Sequence, residues 1–158
     1  MQAKPQKVTR IVVELYSDDS PLACENFKAL CSGGRGKAKG SGVPLHYRGS
    51  KLHRIIPGFI LQGGDFVFGN GSGGESVWNK KFKDDPKGLK RRHDRKGVLS
   101  MGNSGKNCNT SQFFFTLSDA GAPQCDRRHV VFGQVISGLE VFTSYNKPFP
   151  QFLKCLSR

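Results

Sequence analysis

One arginine in this 158-residue chain sits in a setting that asks for an explanation. Arg54 is followed by Ile55-Ile56, a Pro57-Gly58 pair and a second apolar run, Phe59-Ile60-Leu61; then come Gln62, Gly63-Gly64 and Asp65. Both runs have the β-branched and aromatic composition of strands, and Pro-Gly between them marks a turn. A guanidinium is permanently charged and presents a rigid fork of donors. Held between apolar strands it is costly to bury without partners. It either caps the end of a barrel, pairs with Asp65, or acts as a fixed donor that favours one electronic state of a bound group. The last is chemistry that needs no nucleophile, metal, cofactor or general base.

Two glycine-rich stretches fail as phosphate sites. Around Gly36-Lys37, Cys31 stands where a cradle needs its first glycine, and Ala38 follows the lysine where a hydroxyl is required. Gly69-Asn70-Gly71-Ser72-Gly73-Gly74 matches the dinucleotide fingerprint by letter. No helical pattern follows it, and the acidic residue about twenty positions on, Asp94, lies inside a basic run.

The elements that must position Arg54 are legible. Residues 8–16 alternate, with Ile11, Val13 and Leu15 on one face of a strand. Ser20-Pro21 offers an N-cap and a proline at the first helical position. A helix from Pro21 to about Cys31 then carries Ala23, Phe27, Leu30 and Cys31 on one stripe, and Gly33-Gly34 ends it. Residues 97–103, 111–117 and 130–135 read as strands, and 138–145 as a short helix. Three consecutive aromatics, Phe113, Phe114 and Phe115, must point to both faces of their strand. One side then fills a core while the other lines a surface groove. Trp78 reads as partly buried structure.

Composition bounds the rest. The length fits one domain with a real core. No run approaches the length of a membrane span, and residues 1–7 lack the apolar core of a signal peptide. Five cysteines without a CxxC pair argue against a disulfide framework and against a zinc site. A cytoplasmic location is expected, or a nuclear one. Net charge is +13, which attracts polyanions. Residues 80–96 hold nine basic and three acidic side chains, densest at Lys90-Arg91-Arg92-His93-Asp94-Arg95-Lys96. Such a run is either a solvated face or a contact for RNA or an acidic partner.

His53-Arg54-Ile55-Ile56-Pro57-Gly58-Phe59 with Gln62-Gly63-Gly64-Asp65-Phe66 resembles the signature of the cyclophilins, the cyclosporin-binding peptidyl-prolyl isomerases. The resemblance resumes at Leu99-Ser100-Met101-Gly102-Asn103, at Ser111-Gln112-Phe113-Phe114 and at His129-Val130-Val131-Phe132-Gly133. It covers residues 9–145, and several blocks in register are more specific than one motif. Residues 146–158 do not share it, and the chain reads as a single domain.

The resemblance implies a mainly β fold, a closed antiparallel barrel capped by two helices. The family's first strand is missing before Val8 and its last is not recognisable in the tail. The tail therefore supplies a substitute, or an edge stays open, or the end is truncated. The resemblance further implies an isomerase acting on Xaa-Pro bonds of peptides and proteins and assisting their folding. Catalysis would rest on Arg54, Phe59 and Gln62, with Gln62 orienting Arg54. Phe59, Ile60, Phe114 and Cys125 would form the apolar pocket for the proline ring. Asn103 would hold the substrate backbone, and Gln112 and His129 would complete the wall. Gly102 stands where many members have alanine. Gly71 and Gly73 belong to the loop lining a second pocket, where residues before the proline rest. Taken singly, Phe114 and Ile60 also read as core, and His129 as a hydrogen-bonded barrel histidine.

Two departures bear on ligands. Gln124 stands where familiar members carry tryptophan, and Cys125 where they carry leucine, so weakened cyclosporin binding is expected. Residues 39–46 resemble the insertion of the divergent-loop subgroup, whose cysteine and glutamate, matched by Cys31 and Glu75, tether that loop. The subgroup's second cysteine lies in a C-terminal strand that is not recognisable in this sequence, which argues against a redox switch. Two other functions fit the residues: a proline-peptide binding module with little turnover inside a larger assembly, and a basic RNA-associated protein with the barrel as scaffold.

Overall fold

A computed structural model describes residues 10–143. Strands β1 (Val12–Leu15), β2 (Arg54–Ile56), β3 (Ile60–Gly63), β4 (Val98–Asn103), β5 (Asn109–Thr116) and β6 (Val131–Ser137) form one sheet in the order β1-β6-β4-β5-β3-β2. Every neighbouring pair is antiparallel. Helices α1 (Pro21–Ser32) and α2 (Pro86–Lys90) accompany it, with 3₁₀ turns at Pro123–Cys125 and Leu139–Thr143.

Two expectations are not met among the described residues. Among the described residues the sheet is open, with β1 and β2 as its edges, so hydrogen bonds do not close a barrel there. The second α-helix lies inside the basic run, while 139–143 winds as a 3₁₀ turn. The stretch before Val8, where the family's first strand is missing, the tail 146–158, which would supply a substitute, and Tyr145 of the predicted helix fall outside the described residues.

Register decides which side chains share a face, because directly opposed residues of antiparallel strands point the same way. One row runs Ile55, Leu61, Phe115, Leu99, Gly133. Leu61, Phe115 and Leu99 of that row belong to the main core, and so does Phe113 from the adjacent row. Helix α1 covers this side: Phe27 meets Phe113 at 5.3 Å and Phe132 at 5.2 Å, both edge to face. The opposite face carries the row Arg54, Gln62, Phe114, Ser100. Phe114 lies in a second apolar cluster, apart from the core that holds its two neighbours. The consecutive phenylalanines therefore split as their alternation requires.

Local chemistry explains the hairpin that carries Arg54. Phe59 N–H donates to Ile56 O at 3.0 Å, closing a turn with Pro57 and Gly58 at its centre. Gly58 has φ +70°, the left-handed value a type II turn needs at that position. Gly64 has φ +93°, and a Cβ there would run into the carbonyl of Ser111.

Helix α1 begins differently from the sequence reading. Ser20 occupies the N-cap position, but its hydroxyl donates to Val131 O at 2.7 Å. The first-turn N–H groups of Leu22 and Ala23, which have no partner within the helix, donate to Asp85 at 3.1 and 3.0 Å. Asp85→Ala is expected to cost about 1–2 kcal/mol of stability, measured by urea unfolding. An unchanged midpoint would show that the cap contributes nothing.

Candidate active site

Arg54 opens β2 with its side chain exposed, and among the described residues no acidic group pairs with it. The ion pair with Asp65 does not form. Asp65 is fully buried, and its two oxygens accept from the backbone N–H groups of Val67, Phe68, Asn70, Gly71 and Gly73, at 2.9–3.2 Å. Burial by itself would raise its pKa; these N–H groups outweigh burial and bring it down to about 2. Asp65 thus organises the 67–73 loop and leaves the guanidinium on the open sheet face.

Gln62 stands directly across from Arg54. Its amide donates to Gln112 Oε1 at 2.8 Å, and Gln112 Nε2 donates to the carbonyls of Gly71 and Gly73, each at 2.8 Å. This relay joins Gln62, across from Arg54, to the 71–73 loop. Gly102 lies beneath the relay: a Cβ there would come within 3.2 Å of Gln112 Cβ and 3.3 Å of Gln62 Nε2. Alanine at this position would press on both glutamines.

Ile60, Phe114, Ala122 and Cys125 form the second apolar cluster, with half-buried Ile56 and Phe59 at its margin. His129 packs edge-on to Phe114 at 5.3 Å. Its Nδ1–H donates to Met101 O at 2.8 Å, which leaves Nε2 as the acceptor nitrogen. Burial holds the His129 pKa below its ordinary value, so the ring is neutral near pH 7. Asn103 anchors the same corner, donating Nδ2 to Arg128 O at 2.8 Å. Gln124 is exposed on the 3₁₀ turn beside buried Cys125.

The structure adds residues that sequence reasoning missed. His93 is buried and stacks parallel under Phe114, centroids 5.7 Å apart. Its Nδ1 bonds Asp126 Oδ1 at 2.9 Å and its Nε2 bonds Ser100 Oγ at 2.8 Å. This network fixes the floor of the apolar cluster and the 122–126 turn. His93 lies within the charge run, where composition points to solvent; only its register with Asp126 marks it as internal. Ala122 carried no signal beyond being apolar, and Ile56 only its place in the signature stretch.

The basic run is partly internal as well. All three of its arginines are paired: Arg91 with Asp19, Arg92 with Asp126 and Arg95 with Asp94. The 39–46 loop is tied down by Ser41 N–H to Glu75 at 3.0 Å and Lys39 N–H to Asn79 at 2.7 Å. Cys31 contributes its carbonyl, which bonds His46 Nε2 at 3.1 Å. A separate open cavity of about 410 Å³ lies between residues 43–51 and 65–69, and none of the sequence-predicted site residues lines it. Among the described residues, no group of three His, Cys, Asp or Glu side chains is arranged to hold a metal ion, and no helix is long and apolar enough to cross a membrane.

A guanidinium without an acidic partner among the described residues, a glutamine relay and an aromatic cluster thus share one sheet face. The family profile described as cyclophilin type peptidyl-prolyl cis-trans isomerase/CLD matches residues 2–151. The chain belongs to that family. It is 50% identical over 135 residues to peptidyl-prolyl cis-trans isomerase cyp11 of Rhizopus delemar, an alignment covering 85% of this chain and 39% of that protein. The chain therefore spans about two fifths of that relative's length. The cyclophilin profile extends beyond residues 9–145, where the resemblance was legible, at both ends. For a cyclophilin-type domain, the Arg54 face is the candidate active site.

Proposed function

We propose that this domain is a peptidyl-prolyl cis-trans isomerase that binds proline-containing peptides and proteins and assists their folding, with the sheet edges joined into the family's closed barrel. The observation that carries the reading is the row Arg54, Gln62, Phe114 on one sheet face, with Arg54 unpaired among the described residues. Rotation about an Xaa-Pro bond breaks amide resonance against a barrier near ~20 kcal/mol. In the twisted state the prolyl nitrogen pyramidalises and regains its lone pair. A guanidinium donor at that nitrogen stabilises the twisted state more than either planar isomer, and only such differential binding accelerates the reaction.

In this reading Ile60, Phe114 and Cys125 hold the proline ring, and Phe59 borders it. Gln62 keeps the Arg54 side of the groove in register with the second pocket, and Gln112 and His129 wall it. Asn103 and Gly102 present backbone groups to the substrate. A protease-coupled isomerisation assay on Xaa-Pro tetrapeptides tests the proposal, and an uncatalysed rate would end it. Arg54→Ala separates turnover from docking: a binding module would keep its peptide affinity and show no loss of rate.

Cyclosporin binding is expected to be weak, because exposed Gln124 offers neither an indole ring nor its N–H. Restoring the aromatic residue with Gln124→Trp should tighten the complex at least roughly thirtyfold, the scale of an interface hot spot. Isothermal titration of both proteins decides this; equal affinities would refute it. A cytoplasmic or nuclear location belongs to the same proposal. So does a contact for RNA or an acidic partner on the 80–96 run, now resting on its lysines, since the arginines are paired.

A further inference from the structure

The cavity of about 410 Å³ between residues 43–51 and 65–69 is lined by none of the residues assigned to catalysis or substrate binding. Both of its walls are held in place. On one side Leu45 and Tyr47 are buried in the core, Leu45 N–H donates to Gly36 O at 2.9 Å, and Val43 O accepts from Ala38 N–H at 2.8 Å. On the other, Asp65 holds the backbone N–H groups of Val67 and Phe68, and Phe66 packs edge-on to Tyr47 at 6.1 Å. The hollow is therefore a fixed feature of the fold. Its volume lies in the lower part of the range that ligand sites occupy, about 300–1,000 Å³.

The lining divides by chemistry. Val43, Pro44, Phe66, Val67 and Phe68 give it apolar walls. Phe68 is 69% exposed, more than any other large apolar side chain among the described residues. A ring left in water on the wall of a hollow marks a contact surface, not a core. Several polar lining groups are committed within the protein. His46 Nε2 bonds Cys31 O at 3.1 Å, Ser50 Oγ donates to Tyr47 O at 2.6 Å, and the Asp65 oxygens accept from backbone N–H groups. Charge enters from two exposed cations, Arg48 and Lys51, and Lys51 has no ion pair among the described residues. Asp65 is the one acid among the lining residues, so the lining is net positive. A nucleobase would need donors and acceptors for its edges, and its backbone a longer track of cations. An apolar side chain flanked by carboxylates matches both parts of the lining.

We propose that this cavity is a docking site for a partner protein, taking one bulky apolar side chain from an acidic peptide segment whose flanking carboxylates meet Arg48 and Lys51. Phe68 is the anchor of the contact. The site is separate from Xaa-Pro turnover: no residue of the Arg54 groove lines the cavity, so a docked segment leaves that groove open to substrate.

Fluorescein-labelled peptides without proline test it by anisotropy on the full chain: Glu-Glu-Phe-Glu-Glu, the same peptide with Ala in place of Phe, and Lys-Lys-Phe-Lys-Lys. The first should bind at least roughly tenfold more tightly than either of the others, with its affinity falling as salt rises. Phe68→Ala should weaken it by at least roughly tenfold, the loss of an aromatic anchor. Lys51→Glu should weaken it by roughly fivefold and strengthen the lysine peptide. Both side chains are exposed, so unfolding curves of the variants should match that of the unmodified protein. Nuclear magnetic resonance should place the largest amide shifts at residues 43–51 and 65–69. Equal affinity for the Ala peptide would reduce the contact to net charge, and equal affinity for the lysine peptide would reduce it to apolar adhesion; either overturns the proposal. So would no binding, largest shifts at residues 54–62, affinities that neither variant changes, or a single-stranded oligouridylate that displaces the peptide from these amides. Because the probes carry no proline, failure here leaves the isomerase reading standing.

Discussion

Replacing Arg54 with alanine is expected to lower kcat/KM by roughly 10² to 10³, the loss typical when one transition-state donor is removed. The fall should appear in kcat with KM little changed, because the guanidinium gains most when the prolyl nitrogen is pyramidal. Folding stability should move by no more than about 0.5 kcal/mol, since Arg54 is exposed and has no acidic partner among the described residues. Arg54→Lys should restore only part of the rate: an ammonium keeps the charge but loses the planar fork. Nuclear magnetic resonance exchange on a proline peptide, read with an unfolding curve, separates these effects. A folded Arg54→Ala protein with unimpaired turnover would remove the guanidinium from the mechanism.

Asp65→Asn should be the most destabilising conservative change near the site. In the native loop both carboxylate oxygens face backbone donors, Oδ1 two of them and Oδ2 three. An asparagine amide turns an NH₂ group toward one of these sets, placing donor against donor in a buried position. A loss of about 2–4 kcal/mol follows, measured by urea unfolding, with faster amide exchange across residues 67–73. The same carboxylate sets an acid dependence. Its folded pKa of about 2 lies below its ordinary 3.8, so its contribution is complete above that ordinary value. It is lost as pH falls from about 4 through 2, and amounts to about 2 kcal/mol. The asparagine variant should lack that decline. Matching stability, or the same acid profile, would show that the loop does not depend on the charge. Because Gly71 and Gly73 also receive Gln112, the variant should loosen the Gln62 relay as well.

The stripe of Ala23, Phe27 and Leu30, the Pro57-Gly58 turn and the splitting of Phe113, Phe114 and Phe115 were all legible without coordinates. Each depends on helical or strand period or on turn chemistry, and those act over a few residues. The acid partners were not legible. Ser20 looked like the cap of α1, yet Asp85 performs that task from 62–63 positions away. Asp65 looked available to Arg54, yet its own downstream loop occupies it. His93 looked like one more member of a solvated run, yet it lies under Phe114 with both ring nitrogens bonded.

The sequence by itself determined which segments become strands, where the hairpin turns and which face of β5 is aromatic. It also placed Arg54 among cyclophilin-like neighbours. Only the tertiary structure decided that Arg54 has no acidic partner among the described residues, that the arginines of the basic run are paired, and that the described sheet leaves β1 and β2 as edges. The reason is physical. Secondary structure follows from sterics and periodicity along the chain, whereas the partner of a polar or charged group is whatever packing brings within about 3 Å of it, and that has no signature in local sequence.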